Sequence, residues 1–253
     1  MSGHSKWATI KHKKGALDAK RGKIFSKLSK ELMVAAKQGG SDPDMNPNLR
    51  TVIQRAKAMS MPSDNITRAV KKGAGELDGG VSFEEISFEG YASGGVGLVV
   101  QVLTDNRNRT TAEIRFIFTR HGSSFAAQGA VGRGFVRKGL ILVECKAAEE
   151  DKLMGIVLDA GAEDMTTQGE AYEILTDPAK FADVTEALEK AGIKTISAEV
   201  SLIPLMPVPV NDKQLASSIL RFIADLEDND DVQNVYSSMD MSDEVMKELE
   251  KQV

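Results

Sequence analysis

The sequence predicts an α+β protein of three domains: an N-terminal three-helix domain, a mixed α/β domain, and a further α/β domain inserted into the second. Three observations carry this expectation. The chain has 253 residues, more than one domain usually holds. Its apolar spacing changes from helical to alternating across a glycine-rich stretch at residues 73 to 80. From Phe135 onward the elements read β-α-β-β-α-β over about 70 residues.

Residues 1 to 16 are polar, basic and aperiodic, and read as a flexible arm. Trp7, the only tryptophan, sits there among Lys6, Lys11, His12, Lys13 and Lys14. The helical domain is expected over residues 17 to 78. In its first helix, residues 17 to 37, Ile24, Phe25, Leu28, Leu32, Ala35 and Ala36 recur at helical spacing before Gly39 and Gly40. Lys20, Lys23, Lys27 and Lys30 fall three or four apart and form a basic ridge on one face. Asn46 ahead of Pro47 predicts the cap and first turn of a second helix that buries Leu49, Val52, Ile53 and Ala56. Ser63 is expected to cap a third helix, residues 64 to 72, which Gly73 ends.

Alternation then takes over. Strands over 83–91 and 96–103 flank Ala92-Ser93-Gly94-Gly95, which has hairpin chemistry. Thr110 and Glu113 match a capping box before a helix whose apolar face is Ile114, Ile117 and Phe118; Gly122 ends it, and His121 is expected at its C-terminus. After residues 129 to 134 come a strand and turn over 135–145, a helix over 149–160, strands at 163–167 and 171–175, a helix over 178–191 and a strand over 194–203. This order is the ferredoxin-like split motif, so residues 134 to 204 are expected to be a ferredoxin-like insertion. Pro204, Pro207 and Pro209 mark a stiff crossing without regular structure. A helix over 213–226 and a strand over 232–237 cannot bury a core alone, so residues 205 to 240 are expected to rejoin residues 79 to 133 as one discontinuous domain. Residues 241 to 253 read as a charged, frayed helical tail.

Composition excludes several function classes. With 42% hydrophobic and 27% charged residues the chain reads as an ordinary soluble protein. Cys145, the single cysteine, has no partner for an internal disulfide, which fits a reducing cytoplasm. No run approaches the roughly 20 apolar residues that span a bilayer, so no membrane partner is expected. No phosphate-binding Gly-Lys-Ser/Thr loop occurs, and the glycines of residues 90 to 97 lie between two strands, where a dinucleotide fingerprint does not belong. Asp42 to Asn46 begins like a calcium loop but has Pro47 where glycine and Ile53 where glutamate are needed. His4, His12 and His121 are scattered, and no nucleophile elbow is present. No catalytic residue, metal, cofactor or small-molecule substrate is therefore expected.

The formal net charge of −5 conceals a segregation. Residues 1 to 75 hold 16 Lys and Arg against five Asp and Glu, a net +11; the rest holds 16 against 32, a net −16. A cationic module on an acidic body suits a polyanion partner. An aromatic among lysines suits base stacking combined with phosphate neutralisation, and the first helix continues the same charge. In the loop Thr104 to Thr110, Arg107 and Arg109 flank a helix start; an Asp105–Arg109 ion pair and a phosphate site are both open there. The candidate nucleic-acid contacts are Lys6, Trp7, Lys11, His12, Lys13, Lys14, Lys20, Arg21, Lys23, Lys27, Lys30, Arg107 and Arg109.

The strings Gly3-His4-Ser5-Lys6-Trp7, Ile10-Lys11-His12, Asp18-Ala19-Lys20-Arg21-Gly22-Lys23-Ile24-Phe25, Glu89-Gly90-Tyr91, Gly94-Gly95-Val96, Leu103 to Arg109 and Arg137-Lys138-Gly139 together resemble the YebC/PmpR family over nearly the whole chain. The resemblance implies the same three domains and a non-enzymatic regulator of gene expression. Bacterial members are labelled probable transcriptional regulators of promoter DNA. A mitochondrial relative activates translation of a cytochrome oxidase subunit, and bacterial relatives are implicated in easing ribosome stalling on proline runs. The implied partner is promoter DNA or, alternatively, ribosomal RNA and the ribosome, held by the same basic arm and helix. The second and third helices lack an obvious base-reading face, which favours RNA. Gly132-Arg133-Gly134 departs from the family, where bulkier apolar residues are usual. An enzyme with its site between the acidic domains, and a protein adaptor using the acidic ferredoxin-like surface, are the competing classes.

Overall fold

A computed structural model describes residues 17–77 and 82–250. The expected arm lies outside the described residues. The helical domain comprises α1 (Leu17–Gly39), α2 (Pro47–Ala58) and α3 (Ser63–Gly73). Leu28, Leu32, Ala35 and Ala36 of α1 meet Leu49, Ala56, Ile66 and Ala69 in one buried core. Asn46 ties two helix ends together. Its Oδ1 accepts from the Leu49 N–H at 3.1 Å, while Nδ2 donates to the carbonyls of Ala35 at 2.8 Å and Gly40 at 2.9 Å. One buried amide thus caps the start of α2 and satisfies the end of α1, and Pro47 sits where no donor is needed.

Two helix ends differ from expectation. Ser63 is the first residue of α3 rather than its cap, because the Pro62 carbonyl already accepts from the N–H groups of Asn65 and Ile66. Gly73 is not the left-handed stop. A Cβ there would lie 2.2 Å from the Met33 carbonyl oxygen, so this glycine is what lets α3 cross α1 closely. The left-handed residue is Gly75, at φ 78°, where bonds from Gly75 N–H to Lys72 and from Glu76 N–H to Lys71 close the helix.

In the mixed domain, β1 (Glu84–Tyr91) and β2 (Gly97–Thr104) form the expected hairpin, followed by α4 (Arg107–Arg120) and a two-residue β3 (Ser124–Phe125). The capping box at Thr110 and Glu113 does not form. Asn106 is the cap, its Oδ1 accepting from the Arg109 N–H at 3.1 Å, and Thr110 is buried inside the first turns for another purpose. The chain returns much later with α7 (Lys213–Glu227) and β9 (Val232–Ser237), giving an antiparallel sheet in the order β3-β1-β2-β9. One face of that sheet buries Leu98, Val100 and Val102 against Ile114 and Phe118 of α4 and Ile219, Phe222 and Ile223 of α7.

Between these two parts lies the insertion: β4 (Phe135–Glu144), α5 (Glu150–Asp159), β5 (Ala162–Gln168), β6 (Ala171–Thr176), α6 (Phe181–Lys190) and β7 (Thr195–Pro204). Its sheet is antiparallel in the order β5-β6-β4-β7, the ferredoxin-like arrangement. Glycine at position 132 has a reason in this chain. The buried Glu89 carboxylate accepts from the N–H groups of Gly129, Val131 and Gly132, each at 2.7 Å, and a Cβ on Gly132 would press to 3.1 Å from it. Burial pushes this carboxyl's pKa up, but the three N–H donors and Arg133 outweigh it and hold it below the usual value. The lock fastens β1 to the entrance of the insertion.

The proline crossing is more regular than expected. Pro209 lies within β8 (Val208–Val210), which pairs in parallel with β10 (Met239–Met241). A two-stranded ladder is all edge, where a missing N–H is tolerated. The charged C-terminal segment forms α8 (Asp243–Glu250), and it docks through Val245 and Leu249, one turn apart, onto the mixed domain's core.

Replacing Asn46 with alanine is expected to cost about 2–3 kcal/mol, since a cap is lost and two carbonyls are left without their donor. Urea unfolding checks this. Asn46→Asp, which keeps only the acceptor, should fall between the two; an unchanged midpoint for Asn46→Ala would refute the dual cap.

Candidate nucleic-acid interface

Helical spacing does place Lys23, Lys27 and Lys30 along one side of α1, and that side faces the acidic turn between α7 and β9. Lys23 Nζ donates to Asp228 Oδ1 at 2.6 Å and to the Asp228 carbonyl at 3.1 Å. Lys27 Nζ donates to the Glu227 carbonyl at 2.6 Å. Lys30 Nζ donates to the Asp230 carbonyl at 2.9 Å and to Asp231 Oδ1 at 2.5 Å. Part of this attraction belongs to the C-terminus of α7, whose last carbonyls point their partial negative charge at the lysines.

Asp231 is the hub of the turn. Its side chain is only 5% exposed. Oδ2 accepts from Thr110 Oγ1 at 2.6 Å, Arg109 Nη2 at 2.7 Å and Thr104 Oγ1 at 3.1 Å, while the Asp231 carbonyl accepts from the Leu103 N–H at 2.8 Å. Burial alone would push the carboxyl's pKa up. Lys30, Thr110 and Arg109 reverse this and hold it far below the ordinary carboxylate range. In turn Asp231, followed by Asp105, raises the pKa of the Arg109 guanidinium.

The loop Thr104 to Thr110 therefore realises the ion-pair reading: Arg109 bonds Asp105 at 2.9 Å and reaches on to Asp231. Arg107 turns away to Glu84 at 2.6 Å on the exposed surface. His121 meets its helix end through its backbone, donating to the carbonyls of Ile117 and Phe118. Its ring stacks on Phe222 and its Nε2 lies 2.7 Å from Asp225, which also pairs with Arg120. Lys20 and Arg21 fall within α1. Lys6, Trp7, Lys11, His12, Lys13 and Lys14 lie outside the described residues.

Lys23, Lys30, Arg109, Arg120, Asp225 and Asp228 contribute to a cleft of about 880 Å³ between α1 and the mixed domain. Its chemistry is that of neutralised charge. A general acid at neutral pH needs a carboxyl raised toward 7, and Asp231 is displaced the other way. Spacing along the chain found the lysines but not their partners. The acidic run Glu227 to Asp231 is visible as a turn, yet nothing local connects it to residues some 200 positions earlier. Exposed Lys57, Arg68 and Lys71 on α2 and α3 were not among the expected contacts; Lys57 and Lys71 sit in last helical turns, where a basic residue meets the helix dipole.

Residues 5–76 match the sequence profile of the TACO1/YebC protein N-terminal domain, and residues 83–239 match that of the TACO1/YebC second and third domain. The chain belongs to the TACO1/YebC family. A probable transcriptional regulatory protein of Geobacter sulfurreducens is 54% identical to it over 249 residues, covering 98% of this chain and 100% of the relative. Another, from Thermobifida fusca, is 52% identical over 249 residues, with 98% and 100% covered. The crystal structure of a conserved hypothetical protein from Aquifex aeolicus superposes with a TM-score of 0.82 at 45% identity, covering 92% of this chain and 96% of that one. The helical, mixed and inserted domains are thus the architecture of the TACO1/YebC family. Its relatives carry the names of regulators. Among the described residues no helix is long and apolar enough to cross a membrane.

The depressed Asp231 pKa has a definite sign. Its stabilisation is complete above the unfolded-state value of about 4 and drains as the pH falls below that value toward the folded one. Asp231→Asn is expected to cost about 3 kcal/mol at pH 7. In thermal unfolding from pH 7 to pH 3, the gap between wild type and variant should narrow with acid; a constant gap would disprove the assignment.

Proposed function

We propose that this TACO1/YebC protein is a non-enzymatic regulator of gene expression that works by binding nucleic acid, gripping the phosphate backbone with its N-terminal arm and helical domain. The carrying observation is the segregation of charge, +11 over residues 1 to 75 against −16 over the remainder. Such an arrangement concentrates the cationic part on a polyanion while the acidic body resists being wrapped. Lys6, Lys11, Lys13, Lys14, Lys20 and Arg21 would neutralise phosphates, and Trp7 would stack on a base. The exposed Lys57, Arg68 and Lys71 extend the same charge over α2 and α3. The relatives are named probable transcriptional regulatory proteins, and this reading takes DNA as its first partner with ribosomal RNA as the alternative.

The test is a salt series with random duplex DNA, a candidate promoter duplex and purified ribosomes. If about six cations contact phosphate, the log–log slope on duplex should be near −5. Changing Lys6, Lys11, Lys13 and Lys14 together to glutamine should flatten that slope by about four units. Salt-resistant preference for the promoter identifies a transcriptional regulator. Tight ribosome association with only steeply salt-dependent DNA binding makes the protein a translation factor instead. Failure to bind any of the three at low salt overturns the reading.

A further inference from the structure

We propose that the acidic turn from Glu227 to Asp231 is an internal stand-in for a phosphate chain: it occupies the lysine row of α1, and nucleic acid must displace it to reach those lysines. This rests on the reading above and adds the regulation of the same surface.

The geometry is that of a ligand rather than of a packed interface. Lys23, Lys27 and Lys30 engage five oxygens of the turn, three from main-chain carbonyls and two from carboxylates, at 2.5–3.1 Å. Phosphate oxygens accept from ammonium groups at the same N···O distances, and they carry the charge that the carbonyls lack. The contact is polar on both sides. The cores of the helical and mixed domains are separate clusters that share no residue, and an open cleft of about 880 Å³ runs beside the lysines. The Lys23–Asp228 pair is 43% and 68% exposed, so salt and competing anions reach it.

The turn also divides its labour. Asp231 stays with Thr104, Thr110 and Arg109 and anchors the turn to the mixed domain. Asp228 and Asp230 are exposed, and their charge serves the lysine side. Asp228 accepts the Lys23 bond directly, and Asp230 adds its charge to the same lysine. A polyanion that outcompetes these two carboxylates, the three carbonyls and the Lys30–Asp231 pair would free α1 from the acidic body and join the lysine row to the charge of the arm.

The experiment compares wild type, Asp228→Asn/Asp230→Asn, and a charge-matched control, Glu186→Gln/Glu189→Gln, on the exposed face of α6. Each is titrated with a labelled 20-nucleotide RNA and a labelled duplex at low salt, and small-angle scattering follows the radius of gyration with and without RNA. Loss of the Lys23–Asp228 pair and of the Asp230 charge should tighten binding about fivefold. The control should not change, and wild type should expand when RNA binds. Equal affinity for wild type and the Asp228/Asp230 variant, or the same gain in the control, overturns the stand-in while nucleic-acid binding itself stands. If none of the three proteins binds either probe, the nucleic-acid reading fails and this inference falls with it.

Discussion

A carboxylate taken out of water must find donors on every side, and Asp231 meets that demand with groups from two distant stretches of chain. One oxygen faces Thr104, Arg109 and Thr110 at the start of α4; the other faces Lys30 in the helical domain. The turn between α7 and β9 is held in place by these bonds. Because Asp231 is buried and fixed, Asp228 and the carbonyls of Glu227, Asp228 and Asp230 are presented toward α1. The hub thus links the packing of the mixed domain to the position of the helical one.

Each domain also has an apolar core of its own. Leu32 and Leu49 close the helical core, Phe118 and Phe222 the mixed one, and Ile141 and Ile174 that of the insertion. The insertion is fastened at its entrance by another buried carboxylate, Glu89, held by backbone N–H groups. Apolar burial builds the domains. The insertion meets the mixed domain through Glu89 and through an apolar cluster in which Val99, Val131 and Tyr236 pack with Phe135 and Leu202. Charged side chains join the helical domain to the turn before β9. Ionic joints respond to salt and to competing polyanions as hydrophobic joints do not, and the proposed nucleic-acid partner would act through that response.

Sequence reasoning failed at particular places for physical reasons. The Thr110 and Glu113 pattern fits a capping box, but Asn106, nearer the end of β2, reaches the backbone first and leaves Thr110 to Asp231. Pro209 discouraged a strand, yet β10 offers it an edge whose existence depends on chain that follows 30 residues later. Gly73 read as a helix stop because its close neighbour, the Met33 carbonyl, is 40 positions away. In each case a local rule was overruled by a contact between segments far apart in the chain.

What the sequence determined by itself was everything governed by near neighbours: the helical and alternating apolar periods, the Asn46–Pro47 cap, the β-α-β-β-α-β order and the charge of each segment. Periodicity marks which face of an element is apolar, because burial is decided by solvent and needs no named partner. It is silent on what a charged face will meet. Only the tertiary structure decided that Lys23, Lys27 and Lys30 lie against Glu227 to Asp231, since ion pairing depends on distances of a few ångströms between groups that the chain separates by about two hundred residues.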